Sequence, residues 1–310
     1  MRRLSLLSAF ALLLAGSAPA AARSAAFGSL RLRAGSASAP SLAPVPAPAA
    51  AYRATAADLG ARLFAASQKF LGVPYVLGPL GEGADGEFDR DPLISFDGLD
   101  CTTFVEETMA FALGGEAGAQ DVLRRIRYEG GVVSYQARNH FTEADWLPNN
   151  RAAGFLRDIT AQVGGRRVPA VKKTISKRAW YAAKTEADLK GFGNEAPELR
   201  AQRLERLRAL GAGLPDETVL LSYVPLAQLP ALLPSIPSGT VVSLVREARD
   251  DKPTVVTHQF FIFDGPKGKI IRHAAQGKQV LDVPAADYIA NLATYTSWKV
   301  LGFNLAAVTE

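Results

Sequence analysis

The last third of the chain constrains the fold most: runs rich in β-branched and aromatic residues at 218–223, 240–246, 254–263, 269–273, 279–282 and 298–303 alternate with Gly, Pro and Asp turns. Runs of this length and composition need strand partners on both sides, and their close spacing favours antiparallel pairing. The earlier part of the chain has a different period. Leu59, Leu63, Phe64, Phe70 and Leu71 recur at helical spacing before Gly72-Val73-Pro74 stops the pattern. After a Gly- and Asp-rich loop over 78–98, Phe104, Val105, Thr108, Met109 and Ala112 form one apolar stripe behind Asp100-Cys101. Helices first and strands later predict an α+β domain with a mostly antiparallel sheet. Between the two parts, residues 164–213 are more charged and include an amphipathic stretch at 198–210, which reads as a helical insertion.

The N-terminal residues read as export and tether. Arg2-Arg3, the apolar run Leu4 to Leu14 and the small residues Ala18-Pro19-Ala20 match a secretory signal over 1–22. The run is too short for a permanent membrane span, and Ser17 stands where a lipid-bearing cysteine would be needed. Residues 23–50, rich in Ala, Pro and Ser, read as a disordered tether, leaving 51–310 as the folded domain. The expected location is periplasmic or secreted, without stable membrane insertion. A formal charge of +5, two units of it in Arg2 and Arg3, comes with no Lys/Arg cluster interleaved with aromatics, so nucleic acid is not an expected partner.

One cysteine in an exported chain cannot form an internal disulfide, and Cys101 is either an inert buried thiol or a reactive one. Its place at a helix start favours an anion there, because unpaired backbone N–H groups and the helix dipole lower a thiol's pKa. Asp100 fits the N-cap role, and its charge works against the thiolate. Two of the three histidines lie in the β-rich third. Alternation over 255–263 places His258 on one face with Val256, Phe260 and Ile262, the face expected to be covered by the Cys101 helix. After the turn at 264–268 the next strand carries Ile271 and His273 on one face, so an antiparallel return can set His273 beside His258. A histidine on an apolar strand face is more often a satisfied core residue than a base. Still, a thiol, an imidazole and a second polar group to fix its tautomer are the parts a cysteine amidase needs.

The text around these positions is more specific than their spacing. Gly72-Val73-Pro74-Tyr75, then Asp100-Cys101-Thr102-Thr103-Phe104-Val105-Glu106, Thr257-His258-Gln259-Phe260 and Ile271-Arg272-His273-Ala274 follow in that order. Together they resemble the NlpC-type papain-like cysteine peptidase superfamily and, within it, the family known as domain of unknown function 1460, described as N-acetylmuramoyl-L-alanine amidase-like. The resemblance implies a papain-like fold with the nucleophile helix packed on the sheet. It implies Cys101 as nucleophile, His258 as general base and then acid, His273 as the orienting residue, and no metal or organic cofactor. The implied substrate is peptidoglycan or a muropeptide.

Around that centre, Tyr75, Asp100, Glu106, His140, Asp145 and Trp146 are candidate substrate-binding residues. Tyr75 would support an oxyanion or pack under a loop. Glu106 would accept a substrate amine or serve as a buried hydrogen-bond partner. His140 would bind a carboxylate or stay a solvated loop residue, and Trp146 suits packing better than sugar stacking. A zinc site is disfavoured, since no close Cys/His pair exists. Two further readings stay open: an endopeptidase cutting inside the stem peptide, and a non-catalytic muropeptide-binding module on the same fold.

Overall fold

A computed structural model describes residues 56–310; the expected signal segment and tether lie outside the described residues. Helix α1 (Ala56–Gln68) is followed by the long loop and by α2 (Cys101–Arg127). Next come α3 (Leu147–Ala152), β1 (Leu156–Asp158), α4 (Thr160–Gly164), β2 (Ala170–Ser176), α5 (Lys177–Ala182) and α6 (Pro197–Ala209). The rest is β3 (Asp216–Ser222), β4 (Val224–Pro225), α7 (Leu229–Leu232), β5 (Thr240–Arg246), β6 (Val256–Gly265), β7 (Gly268–Ala274), β8 (Val280–Pro284), α8 (Ala285–Leu292) and β9 (Val300–Val308). The main sheet runs β1-β9-β5-β6-β7-β8, with β4 on β9, and its ladders are antiparallel. The molecule is therefore an α+β protein with a mostly antiparallel sheet. No described helix is long and apolar enough to cross a membrane.

Both faces of the sheet are covered, which is why β5 is buried along almost its whole length. On one face α1 and α2 pack Leu63, Phe70, Phe104 and Met109 against Phe261 and Phe263. On the other, α8 and the segment around α7 pack Leu229, Ile236 and Ile289 against Phe260, Ile262, Ile271 and Phe303. Strands β5 and β6 pair with Leu244 opposite His258 but Val245 opposite Val256, so Thr257 is an extra residue in β6. This bulge overturns the expected alternation. Val256 packs with the α1/α2 face, whereas Phe260 and Ile262, in phase with His258, pack on the α8 face. One inserted residue reverses the parity of everything before it.

The segment 164–213 is less helical than its charge suggests. Residues 170–176 form β2, which pairs with β3 as a separate two-stranded sheet. Val171 and Ile175 are its buried positions, and Lys172 and Thr174 between them face outward, a two-residue period hidden among lysines.

Gly115, with a non-helical backbone (φ 61°), breaks α2 into two segments, and a buried ion pair joins the first to the second. The Arg127 Nε donates to Glu106 Oε2 at 2.6 Å, its Nη1 to the Leu93 carbonyl at 2.7 Å, and Trp146 Nε1 to Glu106 Oε1 at 3.1 Å. Both charged side chains are about 3% exposed. Removing one partner strands the other charge away from water, at a typical cost of about 3–5 kcal/mol. Urea unfolding should show Glu106→Ala losing stability on that scale, and Glu106→Leu with Arg127→Met recovering a large part of it. A loss below about 1 kcal/mol for the single variant would contradict the pair's role.

Candidate active site

The start of α2 is fixed by a capping box. Thr103 N–H donates to Asp100 Oδ1 at 2.8 Å, and Asp100 N–H donates to Thr103 Oγ1 at 2.9 Å. The second carboxylate oxygen of Asp100 accepts the Gly78 N–H at 3.1 Å, which holds the preceding loop against the helix start. Asp100 is thus occupied on both oxygens by the protein itself. Cys101, the first helical residue, carries a free thiol and is half-buried as a residue.

The thiol is keyed to β6. Thr102 Oγ1 donates to Gln259 Oε1 at 2.9 Å, and Gln259 is 1% exposed, so the end of α2 and the strand are locked side by side. Thr102 Oγ1 lies 4.0 Å from Cys101 Sγ and, with its proton given to Gln259, is an acceptor there; the backbone N–H groups of Gln259 and Thr102 are the donors near the sulfur. These donors favour the thiolate, but burial and then the Asp100 charge outweigh them and push the thiol up to about 12.

His258, next to Gln259, and His273 on β7 meet through Nε2 and Nδ1 at 2.8 Å. Burial pushes both imidazoles down, His258 to about 3 and His273 to about 4, so both are neutral at neutral pH. Phe260 and Tyr288 of α8 pack around the pair: the His258–Phe260 centroids are 5.6 Å apart and the His273–Tyr288 centroids 5.3 Å. No hydrogen bond joins Cys101 and His258; the two are linked through Gln259. Tyr75 sits on a segment bridged to Leu99, and its N–H donates to the Lys278 carbonyl at 2.9 Å. Burial and the nearby Cys101 and Asp100 raise the Tyr75 phenol to about 12, so it remains a hydrogen-bond donor.

The other sequence-selected residues lie elsewhere. Glu106 and Trp146 are enclosed in the ion-pair core described above, and Trp146 is fully buried. Asp145 pairs with Lys177 at 2.5 Å and accepts the Phe141 N–H at 3.0 Å. His140 bonds the Tyr135 carbonyl through Nε2 at 2.7 Å and packs between Tyr135 and Trp180 in tilted contacts, both at 4.6 Å between centroids. Burial, then the Arg138 charge, hold it neutral. His140 and Asp145 line a small polar cavity with Arg138, Asn149 and Lys177. Thr102, Gln259 and Tyr288 are the site residues that sequence reasoning missed. The Ala285, Ile289, Leu292 spacing could have revealed α8 and, with it, Tyr288.

No curated protein matches the chain. Among solved structures, a protein of the DUF1460 family from Legionella pneumophila is 28% identical, with a TM-score of 0.76 over 81% of this chain and 89% of its own. An N-acetylmuramoyl-L-alanine amidase from Bacteroides uniformis is 26% identical, with a TM-score of 0.59 over 81% of this chain and 99% of its own. The AmiA-like family model, described as N-acetylmuramoyl-L-alanine amidase-like, matches residues 65–295, which include Cys101, His258 and His273. The chain belongs to the N-acetylmuramoyl-L-alanine amidase-like family.

Proposed function

We propose that the protein is a papain-like cysteine amidase of the NlpC type, acting outside the cytoplasm on the bond between the lactyl group of N-acetylmuramic acid and L-alanine in peptidoglycan fragments. The observation that carries this reading is the His258 Nε2 to His273 Nδ1 bond next in sequence to Gln259, whose side chain is bonded to Thr102, the neighbour of a thiol at a helix start. With its proton on Nε2, His258 donates to His273 and leaves Nδ1 as the nitrogen for the thiol proton. Once protonated, His258 keeps the same donor bond, so His273 stabilises the imidazolium without changing place.

The reaction then runs from a neutral pair. As Sγ attacks the lactyl carbonyl, its proton passes to His258 and a carbon–sulfur bond forms. The Cys101 N–H, which has no acceptor within the helix, and the Tyr75 hydroxyl are the donors suited to the oxyanion. Collapse breaks the carbon–nitrogen bond, and His258 returns its proton to the leaving L-alanine amine. Water, deprotonated by His258, cleaves the thioester and restores the thiol. The family match and the Bacteroides uniformis amidase support this bond over one inside the stem peptide. Glu106, Asp145 and Trp146 are given no substrate contact, because their polar atoms are engaged within the protein.

Mass spectrometry of a muropeptide digest tests the reading. The wild type should release intact stem peptide beginning with L-alanine together with peptide-free sugar, and Cys101→Ala should lower the rate at least about 1,000-fold. Cleavage inside the stem would replace the amidase with an endopeptidase, and turnover by the variant would remove Cys101 as nucleophile.

The raised thiol pKa gives a pH profile of defined sign. A group held neutral until high pH exposes about tenfold more thiolate for each pH unit up to its pKa. Alkylation of the resting protein by iodoacetamide should therefore climb through pH 7 to 9 without a plateau. A plateau with a midpoint below pH 7 would mean a preformed thiolate–imidazolium pair and contradict the neutral resting state.

A further inference from the structure

Beside the bulge at Thr257, the buried entry to β6 leaves a backbone donor outside the β5–β6 ladder. Val256, which the shifted register sets opposite Val245, and Val255 just before the strand are both buried, and the Val255 N–H is not given to β5. A buried N–H without an acceptor is strongly disfavoured, so something must take it. The acceptor comes from a segment 112 residues away: Val255 N–H donates to Glu143 Oε1 at 2.6 Å. The carboxylate is 6% exposed, and its other oxygen, Oε2, is buried with no hydrogen-bond partner. On the other side of the strand entry, the Val255 carbonyl accepts the Arg246 N–H at 2.8 Å, and Arg246 Nε donates to Thr257 Oγ1 at 3.0 Å. The bulge is therefore clamped from both sides, immediately before His258.

We propose that Glu143 is a positioning residue for His258: by holding the Val255 N–H beside the bulge, it fixes the strand entry that aims the imidazole at His273. Bulges re-aim the side chains beside them, and a bulge next to a functional residue needs its backbone held to do so. Glu143 touches neither imidazole and acts only through the main chain. The inference deepens the proposed amidase reading and rests on it for its kinetic consequence; its structural consequence stands independently.

Two readouts keep these apart. In 15N-histidine-labelled protein, the downfield Nε2–H resonance of the His258–His273 bond should be present in the wild type and shifted or broadened away in Glu143→Ala. Glu143→Gln, whose amide oxygen can still accept the Val255 N–H, should restore it. On a muropeptide substrate, Glu143→Ala should lower kcat at least about tenfold with KM within about twofold, and Gln should recover most of the loss. Glu143→Asp, which falls short of the same donor by one methylene, supplies the test in a folded chain if the alanine variant does not fold. An unchanged resonance and unchanged kcat in a folded Ala or Asp variant would overturn the proposal. If the wild type shows the resonance but no amidase turnover, the amidase reading falls while the resonance still decides the role of Glu143.

Discussion

The hydrogen bonds around Asp100 set the starting point of α2, and the geometry of the site follows from that point. A helix start leaves several N–H groups without partners, and Asp100 with Thr103 satisfies two donors reciprocally while its other oxygen holds the Gly78 N–H. Were the helix to begin one residue later, Cys101 would leave the helix end and Thr102 would lose its register with Gln259. The cap, the Thr102–Gln259 bond and the adjacency of Gln259 to His258 form one chain of constraints running from a loop to an imidazole.

That cap carries an electrostatic cost for the thiol. The helix dipole and the Gln259 N–H favour a thiolate, but a carboxylate one residue away and low solvent access oppose it more strongly. The neighbouring imidazoles are neutral for the same reason, burial. The thiol, both imidazoles and the Tyr75 phenol are thus all held in their neutral forms, and Tyr75 remains a hydrogen-bond donor. A helix N-terminus alone is therefore a poor guide to thiol ionisation when the N-cap is charged.

Much of this was legible in the sequence, and the failures have local causes. The apolar stripes of α1 and α2 and the strands β5 to β9 followed from periodicity, because their buried positions are large and regularly spaced. The 264–268 turn foretold the meeting of His258 and His273, since hairpin pairing is local. That Val256 turns away from the face of His258, Phe260 and Ile262 was not legible, because a bulge leaves no mark in a pattern of alternating residues, and that face packs against α8, not under the Cys101 helix as expected. Glu106 was recognisable only as polar; its partner Arg127 comes from the segment beyond the break at Gly115, and Trp146 from further along the chain. Glu143 and Gln259 gave no signal, as their partners are 112 and 157 residues away.

The central claim is that Cys101 carries the acyl group during turnover. Acid quenching of the protein during reaction with an N-acetylmuramoyl-L-alanyl peptide, followed by intact-mass measurement and peptide mapping, tests it most directly. The account predicts a muramoyl adduct, labile to hydroxylamine, on the peptide that contains Cys101. Products that accumulate with no adduct detectable under single-turnover conditions, or with the adduct on another side chain, would contradict it.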